Sequence, residues 1–302
     1  MNDQKRRAPT PHNMCAIVVT YHPDEGLPER IERIFGQVDK VVIVDNHSSE
    51  TCLAMIKKIS AHLEVHLILN DENLGIATAL NQGVRYAIDC GYTWALTLDQ
   101  DTVPCQTMIQ NLISAYHDCP FKEKVGVIGS NYQERVTGRV ALHENDYEKN
   151  SWLEVKEVIT SGSLMSIPIF EKTGFFRDDF FIDLVDFEYC LRLKTSGYKV
   201  IITRGIGMVH SHGDCIIRKF LFRNIVLHDY PPLRSYYRMR NGLLLVREYL
   251  WKETGWALPR LHFLIRRFVS TILLEDNKVQ KLNYICLGIY HALISKAGKL
   301  GE

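Results

Sequence analysis

Asp99 and Asp101 stand one residue apart at the end of a hydrophobic run, Trp94-Ala95-Leu96-Thr97-Leu98. In a β-strand, residues i and i+2 point to the same side, so both carboxylates aim at one point just beyond the strand. Two like charges held there repel unless a cation sits between them. Hard oxygen ligands with room for water and phosphate suit Mg²⁺ or Mn²⁺ carrying a diphosphate. An isolated Asp-x-Asp is more often a turn that merely stops a strand. The metal reading therefore rests on the other motifs in the chain.

A second acidic group is Asp183-Leu184-Val185-Asp186-Phe187-Glu188, before and at the start of a helical pattern. Capping and compensation of the helix dipole account for any one of these acids. The chemical reading is a general base. Crowding by Asp183 and Glu188 raises the pKa of Asp186, while the helix end lowers it. Even an unshifted carboxylate can take a proton from a hydroxyl as a new C–O bond forms. Further on, Met208-Val209-His210-Ser211-His212-Gly213-Asp214 follows a late strand. Histidines at i and i+2 on a strand share a face, and one of them could complete a metal shell.

The elements that must position these groups are legible from periodicity. Cys15–Thr20, Val41–Asp45, Val65–Leu69 and Trp94–Leu98 are short apolar runs typical of strands buried on both faces. Between them lie Leu27–Phe35, with Pro28 near its start, Thr51–Ala61 with Ser48, Ser49 and Thr51 as candidate caps, and Ile76–Ile88 with one apolar stripe. Pro104–Tyr116 is a further helix. Regular alternation of strand and helix predicts an α/β fold: a mostly parallel sheet with helices on both faces. After Val125–Ser130 the rhythm changes. Val158–Ile167 reads as a strand broken by Ser161-Gly162-Ser163, Phe170–Gly174 and Asp186–Thr195 as helices, and Val200–Thr203 as a strand. Mostly helical segments run from Pro232 to Lys296.

In open α/β sheets, ligands bind beyond the carboxyl ends of the strands. Thr20-Tyr21-His22-Pro23, Asp45-Asn46-His47-Ser48-Ser49, Asn70-Asp71-Glu72-Asn73-Leu74-Gly75 and Asp99-Gln100-Asp101 all fall there. Asp45 either accepts from the ring N–H of a uracil- or thymine-like base or makes an Asx turn or helix cap. Gly75 permits a tight turn into a helix, or close approach of backbone to a ligand. A dinucleotide-binding fold would place G-x-G-x-x-G after the first strand, and Thr20-Tyr21-His22-Pro23-Asp24-Glu25-Gly26 cannot make that loop.

The composition is that of an ordinary globular protein, with a formal net charge of only +1, which excludes a global field that recruits nucleic acid. Eight Cys without a C-x-x-C pair point to reduced thiols, hence a cytoplasmic setting. Residues 1–13 read as a disordered tail, 14–230 as the α/β domain, and 231–302 as a helical region facing a membrane or an acceptor. No run reaches the ~18–20 apolar residues that span a bilayer. Arg260 to Val269 interleaves basic and apolar residues. It is either a helix packed on the main domain with arginines snorkelling to solvent, or a surface resting on an anionic membrane face.

With these residues laid out, the chain resembles inverting nucleotide-sugar glycosyltransferases of family 2, with a GT-A fold. More narrowly, it is similar to bacterial rhamnosyltransferases that build O-antigen and related surface polysaccharides. The carriers are Ala16–Tyr21, Val44-Asp45-Asn46, Asn73–Ala77 with Ala79–Gly83, Leu98–Asp101, Ser161-Gly162-Ser163, Asp183–Arg192, His210–Asp214 and Arg234–Asn241. The resemblance implies that Thr20, Tyr21 and Asp45 hold the base and ribose, and that Asn73, Gly75 and Asn81 shape the nucleotide pocket. It implies Asp99 on the ribose or sugar side, Asp101 and His210 on Mg²⁺ or Mn²⁺, and Asp186 as base. Val185 replaces the acid that family members show directly before the base, so Asp183 stays open beside Asp186. Ser161, Gly162 and Ser163 are implied near donor sugar or acceptor, and Arg240 and Asn241 near the diphosphate or a lipid-linked acceptor. The implied donor is dTDP-β-L-rhamnose and the acceptor a hydroxyl of a lipid-linked glycan. Alternatives are a UDP-hexose donor on the same fold, or a non-catalytic nucleotide-sugar-binding subunit.

Overall fold

A computed structural model describes residues 7–142, 150–211, 215–220, 223–228 and 230–301. Strand β1 (Met14–Thr20), helix α1 (Leu27–Phe35), strand β2 (Lys40–Asp45), helix α2 (Glu50–Leu63), strand β3 (His66–Leu69), helix α3 (Ile76–Asp89) and strand β4 (Trp94–Asp99) alternate as the apolar pattern requires. The four strands pair in parallel in the spatial order β3-β2-β1-β4. β1 is buried along its whole length, which suits a central strand covered on both faces. The register sets Thr20 opposite Asp45 and Val19 opposite Asp99. The carboxyl ends of β1, β2 and β4 are therefore level, and their polar termini share one edge.

Past β4 the sheet becomes mixed. In chain order there follow β5 (Val103–Pro104), α4 (Met108–Asp118), β6 (Val125–Glu134), β7 (Trp152–Glu154), β8 (Ser163–Ser166), α5 (Ile167–Thr173), α6 (Val185–Thr195), β9 (Lys199–His210) and a hairpin of β10 (Cys215–Phe220) and β11 (Arg223–His228). β8 runs antiparallel to both β4 and β6, and β6 pairs in parallel with β9. The helix expected from Pro104 starts only at Met108, because Val103 and Pro104 pair with Val209 and Met208. The expected strand Val158–Ile167 shrinks to Ser163–Ser166: Gly162 turns the chain at φ 76°. The strand expected at Val200–Thr203 continues to His210, which carries that histidine to the sheet's edge.

The tail assignment for residues 7–13 does not hold. Trp94 is fully buried, and its indole N–H donates to the Arg7 carbonyl at 2.9 Å; Asn13 donates to the Ala8 carbonyl, and Pro11–Asn13 form a 3-10 turn. A buried indole needs an acceptor, and this segment supplies it.

Three helices complete the chain: α7 (Pro232–Tyr249), α8 (Thr254–Leu274) and α9 (Lys278–Leu293). Leu244, Leu245, Tyr249, Trp256, Ala257 and Ala292 join the same apolar core as Ile17 and Val44. At the α8–α9 corner the buried Glu275 carboxylate is met by Arg267 at 3.0 Å and Lys281 at 2.9 Å. The arginines of α8 are divided: Arg260 and Arg267 turn inward, while Arg266 is exposed. Leu258, Ile265, Val269, Ile272 and Leu273 are exposed on the same helix. Among the described residues, no helix is long and apolar enough to cross a membrane.

Candidate active site

The level strand ends open into a cleft of about 590 Å³. It is bordered by Asp99, Asp101 and His210 on one side and by Asp183 and Asp186 on the other. Ligand atoms of Asp99, Asp101 and His210 all lie within 4.8 Å of one another. His210 Nε2 is 3.8 Å from Asp99 Oδ2, and Nδ1 is 3.7 Å from Asp101 Oδ1. Burial, then the neighbouring Asp101 charge, push the Asp99 carboxyl up to about 7. Burial also lowers the pKa of His210, which favours the neutral imidazole that ligates metals. Two hard carboxylates and one imidazole fit Mg²⁺ or Mn²⁺.

A hydroxyl relay fixes this group. Ser161 Oγ accepts from the Asp99 backbone N–H at 3.0 Å and lies 2.6 Å from Thr102 Oγ1, which is 2.9 Å from His210 Nδ1. A hydrogen bond on one ring nitrogen orients the other toward a ligand. On the far side Gln100 pairs with the backbone of Tyr21, accepting from its N–H at 2.7 Å and donating to its carbonyl at 3.1 Å. The acidic turn is thereby tied to the end of β1.

The opposite wall is a strained loop. Phe181, Asp183 and Leu184 have φ of 62°, 65° and 65°. Each non-glycine residue in that region costs on the order of 1 kcal/mol or more. Side chains from two helices hold it. Asn241 of α7 points its amide nitrogen at the carbonyls of Phe180, Ile182 and Asp183, at 3.0, 2.9 and 2.9 Å. Arg240 donates to the carbonyls of Asp179, Phe180 and Gly298. Asn81 of α3 bonds both N–H and C=O of Phe176 and the Asp178 carboxylate. Gly75, at φ 84°, lets Ile76 N–H reach the Phe181 carbonyl at 2.7 Å; a Cβ at Gly75 would lie 2.5 Å from that oxygen.

The loop delivers two carboxylates in opposite states. Burial pushes Asp183 up, but Arg238 and Arg234 outweigh it and hold its pKa below the usual value. Asp186 accepts from Thr160 N–H and Phe187 N–H, both at 2.9 Å, yet burial prevails and pushes it up to about 6. Asp183 is a fixed anion locked in ion pairs, whereas Asp186 is a carboxylate poised near neutrality.

Thr20, Tyr21, Asn73 and Gly75 border the cleft with the acids. Asp45 does not reach it: it is 1% exposed, and its oxygens accept from Thr20 Oγ1, Ser48 N–H and Ser48 Oγ. Its carboxylate instead holds the end of β1 and the turn before α2, accepting the Ser48 N–H three residues on as a cap does. Asn81 is fully buried and grips the loop rather than the cleft, whereas Gly75 borders the cleft while its backbone packs closely against Phe181. Ser161, Gly162 and Ser163 lie beneath the acidic turn; the neighbouring Thr160 borders the cleft instead. Arg240 and Asn241 are sealed inside, at 1% and 0% exposure. His212 lies outside the described residues. Sequence reading missed Gln100, Thr160, Arg234 and Arg238 as cleft residues. The signal for the arginines was their i, i+4 spacing, continued by Asn241 and Leu245 on the same face of α7, so that they form the N-terminal end of its buried stripe.

Residues 15–180 match the family model described as glycosyl transferase family 2. The chain is 34% identical over 285 residues to the dTDP-rhamnosyl transferase RfbF of Shigella flexneri, spanning 90% of this chain and 92% of that protein. Solved structures of similar fold include TarS 1-349 of S. aureus in complex with UDP-GlcNAc, at TM-score 0.60 and 17% identity over 93% of this chain and 81% of that one. Mannosyltransferase PcManGT of Pyrobaculum calidifontis, in complex with GDP-Man and Mn²⁺, aligns at TM-score 0.53 and 17% identity over 94% and 88%. The architecture is the GT-A type, an α/β sheet carrying an acidic cleft. The chain belongs to glycosyl transferase family 2, and it is a glycosyltransferase.

The relay through Ser161 yields a direct expectation. Ser161→Ala removes the acceptor of the Asp99 N–H and the partner of Thr102, so Asp99 and His210 lose their support. Mn²⁺ affinity, measured by calorimetry, should fall by about tenfold or more while the fold is retained. Unchanged affinity would show that the relay does not shape the metal group.

Proposed function

We propose that this protein transfers L-rhamnose from dTDP-β-L-rhamnose to a hydroxyl of a glycan acceptor, with inversion of configuration. The observation that carries the reaction class is the convergence, on one cleft, of the Asp99–Asp101–His210 group and the Asp186 carboxylate. The donor rests on similarity to RfbF across nearly the whole chain. Asp186 is the base. It takes the proton of the acceptor hydroxyl as that oxygen attacks the anomeric carbon, and the bond to the nucleotide diphosphate breaks on the opposite face. Thr160 and Phe187 N–H groups aim its carboxylate, and its raised pKa matches the proton it must hold. Asp99, Asp101 and His210 would hold a divalent cation, which would neutralise charge on the leaving diphosphate. Thr20 and Tyr21, with Asn73 and Gly75 facing them, line the part of the cleft that would take the nucleoside.

Asp186→Asn keeps the shape but abolishes the base. Turnover should fall by at least about 10²-fold, the lower end of what general-base catalysis contributes. In the wild-type enzyme saturated with divalent cation, which would keep Asp99 ionised despite its raised pKa, kcat/KM should be flat above pH 7 and fall about tenfold per unit as the pH drops below about 6, where Asp186 takes up its proton. Near-normal turnover of the Asn variant would remove Asp186 from this role. The donor is tested by thermal shift against a panel of nucleotide sugars. dTDP-rhamnose at ~100 times its dissociation constant should add about 2.7 kcal/mol of stability; stabilisation by a UDP-hexose alone would reassign the donor.

A lipid-linked acceptor at the cytoplasmic membrane face is supported by α8, whose exposed face carries five aliphatic residues and Arg266, with no acid from Thr254 to Leu274. The protein should pellet with anionic liposomes at low salt, and Ile265→Asp/Val269→Asp should remain in the supernatant. If wild-type protein does not pellet, the membrane contact is withdrawn.

A further inference from the structure

Helix α7 presents two guanidinium groups to the cleft on one face. Arg234 and Arg238 are four residues apart, both border the cavity, and both address a single carboxylate. Arg234 reaches Asp183 through Nε and Nη2 at 3.2 and 2.9 Å, and Arg238 through Nη2 at 3.1 Å. The Asp183 side chain is 5% exposed, against 38% for Arg234 and 21% for Arg238. The anion thus sits behind and the cations in front. Two positive charges against one negative leave an excess positive charge facing the cleft. The Tyr230 ring supports the pair, 3.9 Å from Arg238 and 5.2 Å from Arg234. Among the described residues, Arg234 Nη1 makes no hydrogen bond to protein.

The third arginine of the cleft differs. Arg260 of α8 is met by Glu157 at 3.4 Å and enclosed by the rings of Phe187, Trp256 and Phe263. Its charge is neutralised and its faces are covered. Among the described residues, only the α7 pair combines a buried, shared counter-ion with cleft-facing donors. Planar forks of this kind match phosphoryl oxygens, and two adjacent ones can span two phosphoryl groups.

We propose that Arg234 and Arg238, backed by Asp183, form a metal-independent subsite for the oxyanions of a diphosphate. The site lies in the transfer cleft, and the glycosyl-transfer reading supplies the two possible sources: the nucleotide's diphosphate or that of a lipid-diphosphate acceptor. Asp183 keeps the arginines extended and their planes fixed before the ligand arrives. Among the described residues the two arginines make no hydrogen bond or ion pair with Asp99, Asp101 or His210, although the Arg234 charge reaches Asp99 across the cleft; their own charge is there when no cation is present.

The test is calorimetric titration of the full-length protein in EDTA with dTDP, with farnesyl diphosphate as the lipid diphosphate, and with thymidine as the uncharged control. Wild-type protein should bind at least one diphosphate without metal. Arg234→Gln and Arg238→Gln should each weaken that binding by about tenfold or more, as expected for loss of charge-assisted hydrogen bonds. Thymidine affinity should not change. A loss confined to dTDP assigns the subsite to the donor, and a loss confined to farnesyl diphosphate assigns it to the acceptor. The double variant Asp183→Asn/Arg234→Gln removes one charge of each sign and guards against a loop that collapses around an unpaired carboxylate; it should show the same weakening. No diphosphate binding in EDTA, or wild-type affinity in the arginine variants, overturns the proposal. Neither readout depends on rhamnose or on Asp186, so a failure here is distinct from a failure of the proposed reaction.

Discussion

The active-site cleft depends on holding the loop from Phe176 to Leu184 in a conformation its own residues resist. Three left-handed non-glycine residues in four positions are unfavourable by several kcal/mol in sum. They persist because the carbonyls they splay outward are captured by Asn241 and Arg240, and because Asn81 and Gly75 anchor the same loop from α3. Buried carbonyls left unpaired would cost about 1–3 kcal/mol each, so the same contacts that offset the strain also make alternatives unfavourable. The strain has a geometric result. Leu184 turns the chain sharply into α6, so that Asp183 and Asp186 both border the cleft but enter different surroundings.

Those surroundings explain why two carboxylates three residues apart behave differently. Asp183 faces two guanidinium groups and stays ionised; Asp186 faces backbone N–H groups and a hydroxyl, which are too few to overcome burial. A base needs affinity for a proton near the working pH, and a counter-ion needs the opposite. One loop supplies both because α7 places its arginines on one side only. The choice between Asp183 and Asp186, open on sequence grounds, is thus an electrostatic one, and it favours Asp186 as the proposed base.

The parallel half of the sheet was legible because each of its strands is a continuous apolar run and each helix carries a stripe; α1 spans Leu27–Phe35 with Pro28 in its first turn. The second half was harder to read. β7 has three residues, and the hairpin Cys215–Phe220 with Arg223–His228 shows no clean alternation. In the site, acids at strand ends announced themselves, since a charge beside a buried strand requires a reason. The latch did not. The family resemblance implied that Arg240 and Asn241 sit near a ligand, but they lie on the helical stripe of Tyr236, Tyr237, Leu244 and Leu245 and serve backbone carbonyls. Resemblance pointed to a ligand, whereas periodicity pointed inward, and burial followed periodicity.

The matched family region ends at residue 180, before Asp183, Asp186, His210 and the whole of α7. The strands within it contribute Thr20, Tyr21, Asp99 and Asp101, all set by register in one sheet. Everything on the opposite wall depends on how the later helices dock. α7 reaches that wall only because Leu244, Leu245 and Tyr249 pack into the same core as β1 and β2. Apolar burial of that kind contributes roughly 1.5–3 kcal/mol per large side chain, enough to hold a rigid helix against a strained loop. The cleft is therefore assembled across two separately specified parts, a sheet edge and a docked helix, and its chemistry exists only where they meet. A substitution in the α7 core, far from any reacting atom, would act on the loop through Asn241 and so on the proposed base.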